Sequence, residues 1–212
     1  MGYQLTKEQE AFLDFISLKH LRPFYLTGGT ALGKFYLKHR FSVYLDFFST
    51  DSFKITDVTN LIGEAKKHIR FSSFDFQQSF NRNMYQLRFP KDVFLKVEFT
   101  YFPFMPIEKP KDYDGLLVDS LLDIAVNKVF TITQQARGRD YYDLFVIMGK
   151  TKWKLTDLLK KARIKFDWHI DYLQFGAQLL KVESFLDDPI LIDGSVNQEK
   201  VIDFFKTLST DF

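Results

Sequence analysis

Cysteine is absent from this chain of 212 residues, and its absence excludes disulfides, thiolate zinc sites and a cysteine nucleophile. A chain without disulfides suits a reducing compartment, so we expect a cytoplasmic protein. Long apolar runs are absent too. None reaches the length of a membrane span, and residues 1–12 lack the apolar core of a signal peptide. The sequence therefore predicts a protein without a membrane partner.

An excess of charge of one sign is also missing. The chain has 29 Lys and Arg residues against 27 Asp and Glu residues, a formal net charge of +2, so its overall charge does not indicate nucleic-acid binding. Histidine is scarce, and none of its positions has the spacing of metal ligands. The four histidines are His20, His39, His68 and His169. A histidine metal centre is therefore not expected.

The first half of the chain mixes helical and strand patterns. The predicted helices cover residues 5–20, residues 30–38 and a segment that begins near Thr56 or Asp57 and ends at residue 69. The predicted strands cover residues 24–27, 43–48, 71–80, 84–89 and 93–102. The last three strands are aromatic and β-branched runs separated by turn residues, which is typical of an antiparallel meander. The predicted fold class is α/β, with a mixed sheet and flanking helices.

Three prolines interrupt regular structure after the meander: Pro103, Pro106 and Pro110. The patterns that follow are helical, and no strand is predicted among them. The predicted helices cover residues 116–133, 139–148, 156–162, 167–180 and 197–208, with Asp119 or Ser120 as the cap of the first. We therefore predict an α/β lobe over residues 1–110 and a helical C-terminal lobe over residues 111–212.

A glycine pair lies between a predicted strand and a predicted helix. Gly28 and Gly29 allow backbone amides to approach an anion, and the helix that starts at Thr30 adds the positive end of its dipole. The segment lacks the Lys-Ser/Thr ending of a P-loop and the third glycine of a dinucleotide fingerprint. It predicts either a phosphate-binding turn or a tight turn with no ligand.

Two acidic residues lie inside predicted strands. Asp46 is flanked by Leu45 and Phe47, and a carboxylate on such a buried strand is costly unless it is paired, hydrogen-bonded or bound to a metal. Glu98 repeats the pattern, although a half-exposed strand would present it to solvent without any further role. Both are candidate metal ligands.

Further charged residues follow on the predicted helices of the second half. Lys128 is the candidate for neutralising phosphate charge. Asp140 and Asp143 are one helical turn apart and can share a face, close to Arg137 and Arg139. The alternative is an ion-pair network at a helix start with no catalytic role.

Taken together, these segments resemble the AbiEii/AbiGii toxin-type nucleotidyltransferases. The matching text comprises the Gly-Gly-Thr-Ala-Leu turn from Gly28, the pair His39-Arg40, Ser42, Asp46, the pair Asn127-Lys128, and Arg-Asp-Tyr-Tyr-Asp-Leu from Arg139. The resemblance covers roughly residues 24–148 in the expected order. It implies a polymerase-β-like nucleotidyltransferase lobe followed by a helical lobe.

The resemblance also implies a function. The chain would transfer NMP from a nucleoside triphosphate to a tRNA or protein acceptor, as the toxin of a toxin–antitoxin or abortive-infection system with a cognate antitoxin. Asp46 and Glu98 would bind Mg²⁺, and Lys128, Asp140 and Asp143 would complete the catalytic set. The nucleotide would be bound by Gly28, Gly29, Thr30, Arg40, Ser42 and Lys128.

The chain departs from the family pattern at position 44, where Tyr44 replaces the first metal-binding Asp. A phenol is a poor ligand for Mg²⁺ because it stays largely protonated near neutral pH. Glu98 also replaces the more usual Asp. Three hypotheses follow: an active nucleotidyltransferase, a catalytically impaired relative that binds nucleotide or a partner, and a structural α/β protein that binds neither nucleotide nor Mg²⁺.

Overall fold

A computed structural model describes residues 5–184, 198–210 and 212. The helices, in chain order, are α1 (Lys7–Lys19), α2 (Gly28–Ala31, continued by a π-helical turn over Leu32–Leu37), α3 (Ile55–Ile69), α4 (Leu121–Gln134), α5 (Gly138–Lys150), α6 (Leu155–Phe166), α7 (Tyr172–Leu180) and α8 (Gln198–Ser209). The strands are β1 (Tyr25–Thr27), β2 (Tyr44–Ser49), β3 (Ser73–Ser79), β4 (Arg82–Arg88), β5 (Phe94–Tyr101), β6 (Lys111–Tyr113) and β7 (Leu116–Val118).

All seven strands form one mixed sheet in the order β3-β4-β5-β2-β1-β7-β6. The predicted meander is confirmed, since β3, β4 and β5 pair antiparallel. Strand β2 then runs parallel to β5 and antiparallel to β1. The α/β fold class predicted from the sequence is therefore confirmed.

Side-chain alternation gives the central strands a buried face and a polar face. On the buried face, Phe47 lies 5.2 Å from Phe99 and 6.2 Å from Phe12 of α1, measured between ring centroids. The Tyr85 hydroxyl pairs with Thr59 of α3 at 2.8 Å. Helices α1 and α3 therefore cover this face and leave the polar face open for a site.

The prediction that the second half has no strand is wrong. Strands β6 and β7 lie within residues 111–118, and β7 pairs parallel with β1. The predicted helix over residues 116–133 begins instead at Leu121, where Ser120 accepts a hydrogen bond from the Asp123 amide at 2.9 Å. The sheet thus extends beyond the predicted lobe boundary at residue 110, and the division into two lobes stays a prediction.

The helices of the second half pack around α4. Phe130 of α4 stacks on Phe166 of α6 at 3.8 Å between ring centroids, and Lys165 forms a buried ion pair with Asp123 at 2.7 Å. The predicted start of the last helix, Asn197, lies outside the described residues. Within the described ranges, no helix is long and apolar enough to cross a membrane.

Candidate active site

A cleft of about 1150 Å³ lies between the polar face of the sheet and helices α4 and α5. Its walls are the turn that follows β1, the polar faces of β2, β4 and β5, and the facing sides of the two helices. The predicted site residues on its lining are Gly28, Gly29, Arg40, Ser42, Asp46, Glu98, Lys128 and Asp140. The sequence blocks that resemble the family therefore come together in space.

The turn that contains Gly28 and Gly29 lies close to polar side chains of the cleft. A Cβ atom added at Gly28 would lie 2.9 Å from Asp46 Oδ2, and Gly28 has a φ of +67°, which disfavours other residues. A Cβ atom at Gly29 would lie 2.7 Å from Arg40 Nη2 and 3.0 Å from Ser42 Oγ. A side chain at either position would therefore displace these polar groups, and the positive φ makes Gly28 the more restricted of the two.

Thr30 has a different place from the one predicted. Its side chain is fully buried, and its hydroxyl donates to the backbone carbonyl of Tyr44. Thr30 is also missing from the cleft lining. This geometry contradicts a phosphate-binding role for the hydroxyl, because its proton is already committed to holding β2 against the turn.

Asp46 and Glu98 are paired in register on the parallel strands β2 and β5, and both carboxylates face the cleft. Burial, followed by the negative charge of Glu98, raises the pKa of Asp46 to about 6. The positive charges of Lys128, Arg137 and Arg82 oppose this rise. Asp46 is therefore a carboxylate that changes protonation close to neutral pH.

Glu98 is held by Arg82 of β4. The guanidinium makes two parallel hydrogen bonds, from Nε to Oε1 at 2.7 Å and from Nη2 to Oε2 at 2.6 Å. The Thr100 hydroxyl donates to Oε1 at 2.8 Å. Arg82 is half exposed, whereas only 14% of the Glu98 side-chain surface is accessible. Arg82 therefore shields the carboxylate from solvent.

The donor set fits one divalent cation at most. Asp46 and Glu98 are neighbours, but both oxygens of Glu98 already accept hydrogen bonds from Arg82, so a cation would compete with this ion pair. Across the described parts of the chain, no group of three or more His, Asp or Glu side chains could hold a metal ion. Tyr44 supplies no carboxylate for a second ion. An arrangement of two metal ions, which many phosphoryl-transfer enzymes use, therefore does not fit.

Tyr44 lies among cations in the cleft. Lys96 Nζ is 5.4 Å from the centroid of its ring, and Arg139 Cζ is 5.7 Å from the same point. Lys96 is its register partner on β5, and Arg139 belongs to the first turn of α5. Aromatic rings attract cations at such distances. The position expected to carry a carboxylate thus carries an aromatic ring with two positive neighbours.

Lys128 joins the two acidic residues of α5. Its ammonium group lies 2.6 Å from Asp140 Oδ1 and 2.7 Å from Asp143 Oδ2, and only 8% of the residue is exposed. Asp140 lines the cleft, whereas Asp143 is fully buried and absent from the lining. The sequence left open which of the two acids faces the cleft, and the structure places Asp140 there.

Asp143 is the hub of a buried network beneath the cleft. Arg40 donates to both of its oxygens, from Nε at 2.6 Å and from Nη2 at 2.7 Å, and His39 Nε2 lies 2.7 Å from Oδ1. Burial alone would raise the pKa of Asp143, but the charges of Lys128 and Arg40 and these hydrogen bonds hold it well below its usual range. Asp143 is therefore placed to position Lys128 and Arg40 rather than to contact substrate.

Sequence reasoning missed several polar residues of the cleft, among them Arg82, Lys96 and Asn127. Lys96 follows the same alternation as Glu98 and could have been found from it. Arg82 could not, because its contact depends on the register between β4 and β5. Asn127 was noticed only as the neighbour of Lys128, and its amide lies 3.5 Å from a further buried acid, Asp119.

Asp119 follows β7 and adjoins the cleft through Thr27, whose hydroxyl donates to Oδ2 at 2.6 Å. Burial is the largest influence on this carboxyl group and raises its pKa to about 7, although the Thr27 hydrogen bond opposes the rise. The folded protein therefore binds a proton here that the unfolded chain releases near pH 4. This group stabilises the folded state at low pH, and its contribution is lost as pH rises to about 7.

We expect Asp119→Asn to be stabilising relative to wild type at pH 8 but not at pH 5. The difference in free energy of unfolding between the two proteins should change by about 2–3 kcal/mol over this range, since one pKa unit corresponds to about 1.4 kcal/mol. Urea denaturation at both pH values measures it. A difference that is independent of pH would contradict the raised pKa.

A known protein family matches most of this chain. The model of the family described as "Nucleotidyl transferase AbiEii toxin, Type IV TA system" matches residues 16–208. The "Uncharacterized protein aq_aa25" of Aquifex aeolicus (strain VF5) is 32% identical over 217 residues, which cover 96% of this chain and 95% of that protein.

Two solved structures share the fold. The crystal structure of JHP933 from Helicobacter pylori has a TM-score of 0.64 at 16% identity and covers 98% of this chain and 92% of its own. The crystal structure of a putative nucleotidyltransferase from H. pylori has a TM-score of 0.63 at 16% identity, and the match covers 99% of this chain and 95% of that one. Because the family model matches most of this chain, the chain belongs to the AbiEii family of nucleotidyltransferase toxins from type IV toxin–antitoxin systems.

Proposed function

We propose that this protein transfers a nucleoside monophosphate from a nucleoside triphosphate to a hydroxyl group on an RNA, such as tRNA, or on a protein. The observation that carries the proposal is the position of Asp46. It lies in register beside Glu98, against the backbone of Gly28, in a cleft whose other charged groups are mainly cationic. Such a site can bind phosphates and still provide a proton acceptor near the reacting phosphorus.

In the proposed reaction the acceptor oxygen attacks the α-phosphorus. A new phosphorus–oxygen bond forms, the bond to the β-phosphate oxygen breaks, and pyrophosphate leaves. Asp46 accepts the proton of the attacking hydroxyl, which its raised pKa of about 6 allows near neutral pH. Lys128, held between Asp140 and Asp143, contributes positive charge to the phosphate side of the cleft.

We propose a single Mg²⁺ ion with Asp46 and Glu98 as its ligands, in competition with Arg82 for Glu98. Bound there, it would supply positive charge to phosphate oxygens. The backbone amides of Gly28 and Gly29 would contact the phosphates beside it, because no side chain separates them from the cleft. Arg40 lines the same part of the cleft, and Asp143 fixes its orientation.

A labelled-nucleotide assay tests the proposal. The protein is incubated with Mg²⁺, total tRNA and a protein pool, and with each nucleoside triphosphate labelled on either the α- or the γ-phosphate. We expect stable labelling of one acceptor class from the α-label only. Transfer of the γ-label would indicate a kinase, and the absence of transfer from all four nucleotides would contradict the proposed activity.

The second candidate is a catalytically impaired relative that binds nucleotide or its antitoxin partner without transfer. Tyr44 is the observation that favours it, because the position lacks the carboxylate that a two-metal mechanism needs. The two candidates differ in one result. The impaired relative binds triphosphate and transfers nothing, and Tyr44→Asp then creates or greatly increases transfer.

A further inference from the structure

We infer that Tyr44, Lys96 and Arg139 form a subsite for the terminal phosphates of the nucleoside triphosphate, and that triphosphate binding there requires no divalent cation. We refer to these three residues as the Tyr44 subsite. The inference rests on the proposed function, because it takes a triphosphate as the ligand of the cleft. The inference goes beyond the proposed function because two cationic side chains, rather than a metal ion, would neutralise the terminal phosphates.

The geometry of the Tyr44 subsite suits an anion. Lys96 Nζ lies 5.4 Å and Arg139 Cζ 5.7 Å from the centroid of the Tyr44 ring, so two positive charges lie beside one residue of the cleft wall. The Tyr44 hydroxyl adds a hydrogen-bond donor on the same residue. Guanidinium and ammonium groups both bind phosphate through charge-assisted hydrogen bonds.

The charge balance of the cleft also favours a phosphate over a second metal ion. Its described lining contains six cationic side chains, Arg40, Arg82, Lys96, Lys128, Arg137 and Arg139, but only three acidic ones, Asp46, Glu98 and Asp140. A site for two divalent cations needs acidic side chains in excess. Even with the buried Asp143 counted, cations remain in excess.

The position of the Tyr44 subsite identifies the phosphates it would bind. Tyr44 is two residues before Asp46 on β2, and Lys96 is two residues before Glu98 on β5, so each side chain points into the same cleft. The reacting α-phosphate belongs beside Asp46. A neighbouring cationic point on the same sheet face then suits the β- and γ-phosphates, which extend away from the reacting centre.

Nucleotide titration in EDTA tests the inference. The four triphosphates are titrated into wild-type protein by calorimetry, with and without Mg²⁺. The variants are then tested with the triphosphate that binds most tightly and with the corresponding monophosphate. We expect wild-type protein to bind the triphosphate in EDTA. Lys96→Gln should weaken that binding by about tenfold, as the loss of one charge-assisted contact predicts, and leave monophosphate binding unchanged.

Lys66→Gln is the matched control, because it removes the same charge from an exposed position on α3, across the sheet from the cleft. It should leave both affinities unchanged. Tyr44→Asp should abolish triphosphate binding in EDTA and make it dependent on Mg²⁺, since a carboxylate there neutralises Lys96 and Arg139 and can bind a cation. Circular dichroism confirms that each variant is folded.

Three outcomes overturn the inference. Triphosphate binding by wild type that requires Mg²⁺ overturns the Tyr44 subsite and leaves the proposed function intact. The same holds if Lys96→Gln leaves triphosphate affinity unchanged, as Lys66→Gln does. Failure to bind any triphosphate, with or without Mg²⁺, overturns the proposed function as well.

Discussion

Replacing Asp46 with asparagine should lower the rate of nucleotidyl transfer by about 10²–10⁴-fold, the range that loss of a general base produces. Asparagine has nearly the same shape, so the turn at Gly28 can keep its close contact, but it cannot accept a proton or carry a negative charge. Triphosphate binding should survive, because the cations of the cleft are unchanged.

The pH dependence of the wild-type rate provides a second measurement of the same residue. Burial and the charge of Glu98 raise the pKa of Asp46 to about 6, and only the ionised form can accept a proton. The rate should therefore increase with pH and level off at or below about pH 6, because a cation bound by Asp46 would favour the ionised form further. Asp14→Asn, at an exposed position on α1, is the control and should leave rate and profile unchanged. Full activity of Asp46→Asn would contradict the assignment.

Asp143→Asn should destabilise the fold by about 3–5 kcal/mol, because removing one partner of a buried ion pair leaves the other charges buried without compensation. Three cationic or ring nitrogen groups depend on this carboxylate: Arg40, Lys128 and His39. The pKa of Asp143 is held well below its usual range, so its contribution to stability is present above the pKa of the unfolded chain and is lost as pH falls.

Urea denaturation at pH 7 measures the loss, and a second titration at low pH should show a smaller difference from wild type. Glu64→Gln is the matched control, since it breaks the exposed pair between Glu64 and Lys19 and should change stability little. A small effect of Asp143→Asn at pH 7 would contradict the buried hub. Any loss of transfer in this variant would then need a direct catalytic role for Asp143.

The sequence predicted the parts of the fold that depend on local pattern. Alternation identified β2 and β5, and helical spacing identified α1, α4 and α5 within a few residues. It failed at β6 and β7, because strands of three residues are too short to establish a period and only Asp119 and Ser120 separate Leu116–Val118 from the apolar pattern of α4.

The candidate site could likewise be predicted only in part from the sequence. Asp46, Glu98 and Lys128 could be proposed from residue type and position in the chain, and all three line one cleft. The burial of Asp143 and Thr30 could not be predicted from the sequence. Helical periodicity allows either Asp140 or Asp143 to face the cleft, and only the contact with Arg40 shows that Asp143 is the buried one. The pairing of Arg82 with Glu98 needs the register of two strands, which the sequence does not specify.

The identity of the leaving group is the most direct test of a nucleotidyltransferase. Wild-type protein, its labelled acceptor and the preferred triphosphate are incubated together, and both pyrophosphate release and the mass of the acceptor are measured. We predict one pyrophosphate released for each acceptor that gains the mass of one nucleoside monophosphate, with both products formed about 10²–10⁴-fold more slowly by Asp46→Asn. Release of orthophosphate, or an acceptor that gains only a phosphate group, would contradict the proposed transfer.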